Sequence, residues 1–402
     1  MNGILKNAMA VAARLEEEGW EAALVGGAVR DLLCGIPVSD ADIAVNAPLQ
    51  GLVPLFPEGK LIGPAGKQVL LLPLEEGRCE ASSYAGASLA DDLLVRDFTV
   101  NALALRQNGE IVGSRRARAD VSARILRFNG TPADRLAEDP LRALRLARLA
   151  AALPGFSADP SAASACRELR PPLDGCAPER VGREVRLGLE GRPHVFLKVL
   201  KKCGLLGEVF PGLLTREYEF ARLCAVEEEL AGEGASLAVR AAALFSSMRV
   251  MASGEDEPQR ASAALTEWRW PGRLAAEVAE LVRHRRLLLE TRDSDAIAAL
   301  FGDRGAPFMD NLFTLARRLC VNESHRRRWG ENRAVYVSMA VRALRDEMLP
   351  TGEEIMEKFS LEPGPEVGKL ADALKMGRIK EGFESREEAF HFLEKLIKRF
   401  TD

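Results

Sequence analysis

Apolar residues in Met1–Gly19 recur at three- and four-residue steps with charged residues between them, which predicts an amphipathic helix. From there to about residue 128, strand-like and helix-like segments alternate. The strand candidates are Ala22–Val25, Asp42–Asn46, Gln68–Leu72, Arg78–Ser82, Thr99–Leu105 and Glu110–Val112. Each is short, apolar or alternating, and bounded by Gly, Pro or Asn. From about residue 135 the strand pattern stops. Leu-, Ala-, Arg- and Glu-rich helical segments follow, broken at Pro154, Pro171–Pro172, Pro211, Pro271, Pro350 and Pro363. The pattern predicts an α+β head with a mixed β-sheet, followed by an all-α remainder. It shows no internal repeat and no low-complexity tract.

Composition narrows this picture modestly. Hydrophobic residues make up 47% and charged residues 28%, as in ordinary globular chains, and 402 residues suggest several domains. No stretch is long and apolar enough to span a bilayer, and the N-terminus lacks the features of a signal peptide, so a cytoplasmic protein with no membrane partner is expected. The 7 cysteines form no CxxC pair and the 4 histidines are scattered, which speaks against a zinc site or a disulfide framework. A net charge of −4 does not by itself suggest a polyanionic partner. The arginines are nevertheless clustered, at Arg115, Arg116 and Arg118, at Arg283, Arg285 and Arg286, and at Arg326, Arg327 and Arg328. Each cluster reads either as a solvated helix face or as a polyanion contact.

Two segments of the head carry candidate chemistry. In Ala22–Asp31 an apolar strand runs into Gly26-Gly27 and a helix starts at once. Paired glycines let backbone approach a bulky anion, the helix N-terminus offers free N–H groups, and Arg30 in the first turn can add a charge-assisted fork. The plain alternative is a tight strand–helix turn. In Ser39–Val45 a strand is entered through Asp40 and Asp42, two residues apart and therefore on one face. Neighbouring carboxylates repel unless a cation joins them, and hard oxygen ligands suit Mg²⁺. Glu80, on a later strand candidate, is a further carboxylate for the same site or a surface acid.

These segments, Leu24-Val-Gly-Gly-Ala-Val-Arg-Asp31 and Asp40-x-Asp42, resemble the opening of the bacterial tRNA nucleotidyltransferase and poly(A) polymerase family. Further likenesses follow in the family's order. They are Arg96-Asp-Phe-Thr-Val-Asn-Ala102, then Ala119-Asp120 with Ile125-Leu-Arg127, then Glu138-Asp-Pro-Leu-Arg-Ala-Leu-Arg-Leu-Ala-Arg148, and more weakly Glu179–Glu184. The resemblance covers about residues 20–215. It implies a nucleotidyltransferase-type head over 1–128, a helical neck carrying a base-reading helix over 129–190, a helical body over 191–300, and a tRNA-holding helical tail over 301–402.

It also implies the chemistry. Asp40 and Asp42, with Glu80 beside them, would hold two Mg²⁺ ions that clamp the attacking and leaving oxygens. Gly26, Gly27 and Arg30 would cradle the triphosphate of CTP, with ATP as a second candidate, Asp97 and Asn101 would bind the nucleotide's ribose hydroxyls, and Arg96 would be a further nucleotide-binding residue. In the neck, Asp139 and Pro140 open a helix well, and Arg142, Arg145 and Arg148 recur every third residue as a basic ridge. No acid on that ridge beyond Asp139 offsets them, so a bound polyanion is expected to. Asp139 accepting from an exocyclic amino group and Arg142 donating to a ring acceptor would admit cytosine and adenine and reject uracil. The 3′ end and acceptor arm of tRNA would be the second substrate, with Arg283, Arg285, Arg286, Arg326, Arg327 and Arg328 on its backbone.

The chain departs from the family pattern in places. Val95 stands where a second arginine is usual, Gly113-Ser114 where an acid is usual, and Ala85 where an arginine is usual. Relatives that add the whole CCA sequence carry a longer, charged, flexible loop where this chain has only Ala81–Val95, small residues for the most part. That loop is regarded as the lever that switches the base pocket from cytosine to adenine. Its brevity predicts an enzyme that adds CC and stops, leaving the terminal A to a separate enzyme. The alternatives are a full CCA-adding enzyme, a poly(A) polymerase, and an RNA-binding scaffold without chemistry. The last has no use for a repulsive acid pair.

Overall fold

A computed structural model describes residues 3–64, 68–74, 77–213, 216–248, 256–343, 349–383 and 385–401. It divides into two compact units, Met1–Pro211 and Gly212–Asp402, a boundary that falls inside the expected body of residues 191–300. The first unit contains a mixed seven-stranded sheet and the second is helical among its described residues.

The strands are β1 (Ala22–Val25), β2 (Ala41–Val45), β3 (Lys60–Ile62), β4 (Val69–Pro73), β5 (Arg78–Ser83), β6 (Leu103–Leu105) and β7 (Ile111–Gly113), arranged β3-β4-β5-β2-β1-β6-β7. Only β2 and β5 pair in parallel; the other neighbours are antiparallel. Every residue of β1 is buried, as befits a central strand covered on both faces. The amphipathic N-terminal helix, Gly3–Glu17, turns Leu5, Ala8, Ala12 and Leu15 inward and packs along β1, β2 and β5. A helix at Leu89–Leu94 drops Leu89 and Leu93 onto Ala23, Val25, Ala44 and Ala104.

The sequence pattern placed most strands within a residue or so. The expected strand over Thr99–Leu105 is shorter, because Thr99–Asn101 winds into a 3₁₀ turn before β6. The edge strand β3 carries little alternation and escaped notice. Beyond residue 135 one strand does occur, Ser157–Ala158, paired in parallel with Ile125–Leu126. Two residues are too few to carry a periodic signal.

After the head, the helix Arg142–Ala152 packs against Pro178–Glu190 and Pro193–Lys202. The last of these begins at the expected body but packs within the first unit. In the second unit the helix Ser294–Leu319 runs across the expected body–tail limit and kinks at Gly305, where φ is 77°, just before Pro307. Ile355, Val367, Leu374, Phe383, Ala389 and Leu393 make a separate cluster near its end.

Candidate active site

The strand β1 ends at Val25, which lies in register with Asp42 of β2, and Asp42 in turn lies in register with Glu80 of β5. Three neighbouring strands therefore bring the glycine turn and two carboxylates side by side. Gly26 follows at φ 74° and ψ −136°, a conformation that a side chain resists, and opens the helix Gly27–Cys34 with no side-chain cap. A Cβ on Gly26 would stand 3.0 Å from Arg96 Nη1 and 3.5 Å from Asp42 Oδ2. The turn thus presents open backbone with a guanidinium and a carboxylate leaning over it.

Asp42 faces outward and water reaches it, yet the surrounding walls crowd its carboxyl. That desolvation raises its pKa, Glu80 and then Asp40 push in the same direction, and Arg96 opposes them. Asp40 stands just before β2, exposed, 3.6 Å from Arg78. Glu80 is half-buried. Among the described residues no three such side chains converge closely enough to cage an ion by themselves. The donor set still fits Mg²⁺, which commonly takes one or two carboxylates and completes its shell with waters and substrate phosphates.

Arg30 sits differently from expectation. Its guanidinium is buried and its bonds run inward, to Asp31 (2.9 Å) and to Asn101 Oδ1 (2.6 Å). Asn101 donates to Asp97 Oδ1 at 3.0 Å, and Asp97 Oδ2 lies 2.8 Å from Arg145 Nη2. One polar chain therefore links the glycine-turn helix, the Arg96–Asn101 segment and the neck helix. In the same region Asp120 accepts from Thr99 Oγ1 at 2.8 Å and from Arg127 Nε at 3.2 Å, closing the head.

The neck helix starts two residues later than the sequence suggests. Asp139 caps it all the same, its Oδ1 accepting from Leu141 N–H at 3.2 Å, but the opening turn is 3₁₀ and the α-helix proper begins at Arg142. The ridge is not left uncompensated, contrary to expectation. Arg142 pairs with Glu138, Arg145 with Asp97, and Arg148 with Glu184 at 2.6 Å. Asp97 and Glu184 come from elements distant in sequence, so spacing along the helix could not reveal them. Asp139 Oδ2 is itself held by Arg180 at 2.7 Å. The bonds Arg142 makes all use Nη1.

A family profile described as the poly A polymerase head domain matches residues 22–69. A second, described as the probable RNA and SrmB-binding site of polymerase A, matches residues 155–215. The chain is 38% identical over 210 residues to a CC-adding tRNA nucleotidyltransferase of Shouchella clausii, an alignment covering 52% of this chain and 55% of that one. Together these likenesses support the tRNA nucleotidyltransferase and poly(A) polymerase family. It spans about half the length of the first curated relatives that it matches. A CCA-adding enzyme of Streptococcus pneumoniae aligns at 26% identity over 96% of both chains. Among solved structures, the Bacillus stearothermophilus CCA-adding enzyme in complex with CTP superposes with a TM-score of 0.74 at 25% identity, covering 100% of both chains.

The family's motifs and the Arg115–Arg118 cluster lie in the first unit, and the other two basic clusters are in the second. There Arg285 departs from expectation. It is 7% exposed, pairs with Glu257 and donates to the Val282 carbonyl, so it holds helices together and has no surface to offer RNA. Burial brings its pKa down to about 10. Arg283, Arg286, Arg326 and Arg327 are exposed, each beside one or more glutamates, while Arg328 is half-buried against Glu331 at 2.7 Å. Among the described residues no helix is long and apolar enough to cross a membrane.

Sequence reasoning passed over Asp92. It is 5% exposed and accepts from Arg96 Nη2 at 2.9 Å. Its four-residue spacing from Arg96 was the available signal, hidden because the segment reads as a loop.

Proposed function

We propose that this chain adds cytidine nucleotides to the 3′ end of tRNA, without a template, and stops after CC. The observation that carries the CC limit is the connection between β5 and Arg96. Only Tyr84–Ser88 separates β5 from the helix Leu89–Leu94. That connection is tied down at its start by Tyr84 N–H donating to the Val45 carbonyl at 2.9 Å and Ala85 N–H to Asp92 at 3.2 Å, and at its far end by Ser88 N–H donating to Asp91 at 3.0 Å. A Cβ on Gly86 would lie 2.5 Å from the Asp91 Cβ, so the chain is folded tightly onto its own helix. A pocket switch needs an element with two arrangements, and this one has little slack for a second. The CC-adding activity of the Shouchella clausii relative supports the same reading.

In this reading Asp40 and Asp42, with Glu80 adjacent, hold two Mg²⁺ ions, which when bound assist ionisation of the tRNA 3′-hydroxyl and neutralise the departing pyrophosphate. The Gly26–Gly27 backbone and first-turn N–H groups receive the triphosphate. Arg96 adds charge beside it. Arg30, Asp97, Asn101 and Arg145 keep the head and the neck helix in register, with Arg148 anchored on Glu184 behind them. Asp139 accepts the cytosine amino proton while Arg142 donates from Nε or Nη2 to the ring acceptors.

Full CCA addition is the second reading, favoured by the end-to-end alignment with the Streptococcus pneumoniae enzyme. Incubation of tRNA lacking its 3′ end with CTP and ATP together, followed by product sizing, decides between them. Arrest after two cytidines is expected, with a separate A-adding enzyme then needed to complete the end. A product ending in CCA would refute the CC limit.

A further inference from the structure

We propose that Asp92 is a positioning residue that keeps Arg96 over the glycine turn and off the metal-binding acid Asp42. This rests on the reading that the space above Gly26 takes a nucleoside triphosphate and that Asp42 takes a divalent cation.

Two carboxylates compete for one guanidinium. Asp92 Oδ2 accepts from Arg96 Nε at 3.2 Å and from Nη2 at 2.9 Å. Two bonds to one planar fork fix its orientation as well as its position. The remaining nitrogen, Nη1, is left pointing to the space above Gly26, where Asp42 Oδ2 also arrives. An Arg96 released from Asp92 has the Asp42 carboxylate on the other side of the same small space, and that carboxylate is the proposed ligand of the cation. An Arg96–Asp42 ion pair would occupy the acid and cover the turn together.

The clamp is built to resist that exchange. Asp92 is buried, which strengthens a charge-assisted bond relative to water. Its second oxygen holds Ala85 N–H, so the same carboxylate pins the short connection. The helix that carries it is fixed by a Ser88–Asp91 capping box at its start. At its end Asn129 Nδ2 donates to the Leu93 carbonyl at 2.8 Å and Arg135 Nη2 to the Leu94 carbonyl at 2.9 Å.

The test compares Asp92→Asn with Ser88→Ala. The second variant breaks the cap of the same helix while leaving the clamp itself in place. CTP affinity is measured by calorimetry with Mg²⁺ and no tRNA, and the Mg²⁺ concentration for half-maximal nucleotide transfer is measured separately. Asp92→Asn is expected to weaken CTP binding about tenfold and to raise the Mg²⁺ requirement by a similar factor, while kcat at saturating CTP and Mg²⁺ stays within about threefold. Ser88→Ala, which loosens the start of the helix but keeps the Asp92 fork, should change both by no more than about twofold. In an Arg96→Gln background Asp92→Asn should add nothing further. An unchanged CTP affinity and Mg²⁺ requirement in Asp92→Asn, additive effects in the double variant, or equal effects from Ser88→Ala would each overturn the proposal. Should Asp92→Asn not fold, Asp92→Glu, which keeps the charge but displaces the fork, is read in the same way and must weaken CTP binding. A wild type that binds CTP but transfers nothing would sink the proposed function, and calorimetry would still decide the clamp. A wild type that binds no CTP would sink both.

Discussion

At the scale of single residues, two acids sit where their charge is unwelcome, for different reasons. Asp42 lies beside Glu80 on the adjacent strand, and its raised pKa records repulsion and desolvation that a bound cation would relieve. Asp42→Asn is therefore expected to lower nucleotide transfer by about a thousandfold or more, the loss of several kcal/mol of charge stabilisation. Its thermal midpoint should be equal to or above that of wild type, and near-normal turnover with Mg²⁺ would exclude Asp42 as a ligand. Because the carboxyl of the free protein holds its proton to higher pH than an ordinary Asp, the Mg²⁺ requirement should fall as pH rises through that titration. Glu227, in the helix Glu217–Gly232, is the contrasting case. It is fully buried, neither oxygen has a hydrogen-bond partner among the described residues, and burial raises its pKa well above the usual value despite Arg240 nearby. The folded protein holds a proton there that the unfolded chain releases above about pH 4.5, so this residue's contribution to stability is lost as pH rises. Glu227→Leu should stabilise the chain by about 1–3 kcal/mol at pH 8 and by less at pH 5, checked by chemical denaturation at the two values. Nothing in the sequence separated Glu227 from its neighbours Glu228 and Glu229. Asp42 was legible because an alternating strand dictates which side chains share a face.

At the scale of elements, the sequence carried local pattern well and long-range pairing poorly. The glycine turn between β1 and its helix, the positions of most head strands and the proline breaks were all readable. The compensation of the neck ridge was not, since Asp97 and Glu184 meet Arg145 and Arg148 only after folding. That compensation changes what the ridge can be asked to do. Arg145 and Arg148 are held by acids that align the helix, which leaves Asp139 and Arg142 at its opening as the pair with hydrogen-bonding capacity toward a base. Asp139→Ala or Arg142→Ala should each cost about 1–3 kcal/mol of discrimination between CTP and UTP. Each should weaken triphosphate binding less, as measured by single-turnover incorporation of each nucleotide. Arg145→Ala should instead weaken all nucleotides alike. Unchanged discrimination in both of the first two variants would move base reading to another element.

At the scale of the whole molecule, the family motifs end with the first unit, and the second was legible only as helices with clustered arginines. Burial sorts those clusters in a way that sequence could not. Arg285→Gln should act on stability alone, costing about 1–3 kcal/mol, because the largely buried Glu257 then keeps only the exposed Arg286 at 3.5 Å. Arg283, Arg286, Arg326 and Arg327 remain the side chains with the exposure needed to reach a phosphate backbone. Their glutamate neighbours do not decide the matter, since exposed ion pairs are worth little and exchange readily for a polyanion. Converting these four to glutamine in the full chain should leave CTP affinity and folding intact while raising the Michaelis constant for tRNA. The diagnostic quantity is the salt dependence. Every phosphate contact removed should flatten the slope of log affinity against log salt by about 0.7–0.9. A tRNA affinity with an unchanged salt slope would mean that these arginines are merely solvated. The tRNA would then have to be held by other surfaces of the chain, with the exposed Arg115 and Arg116 of the head the next to be tested.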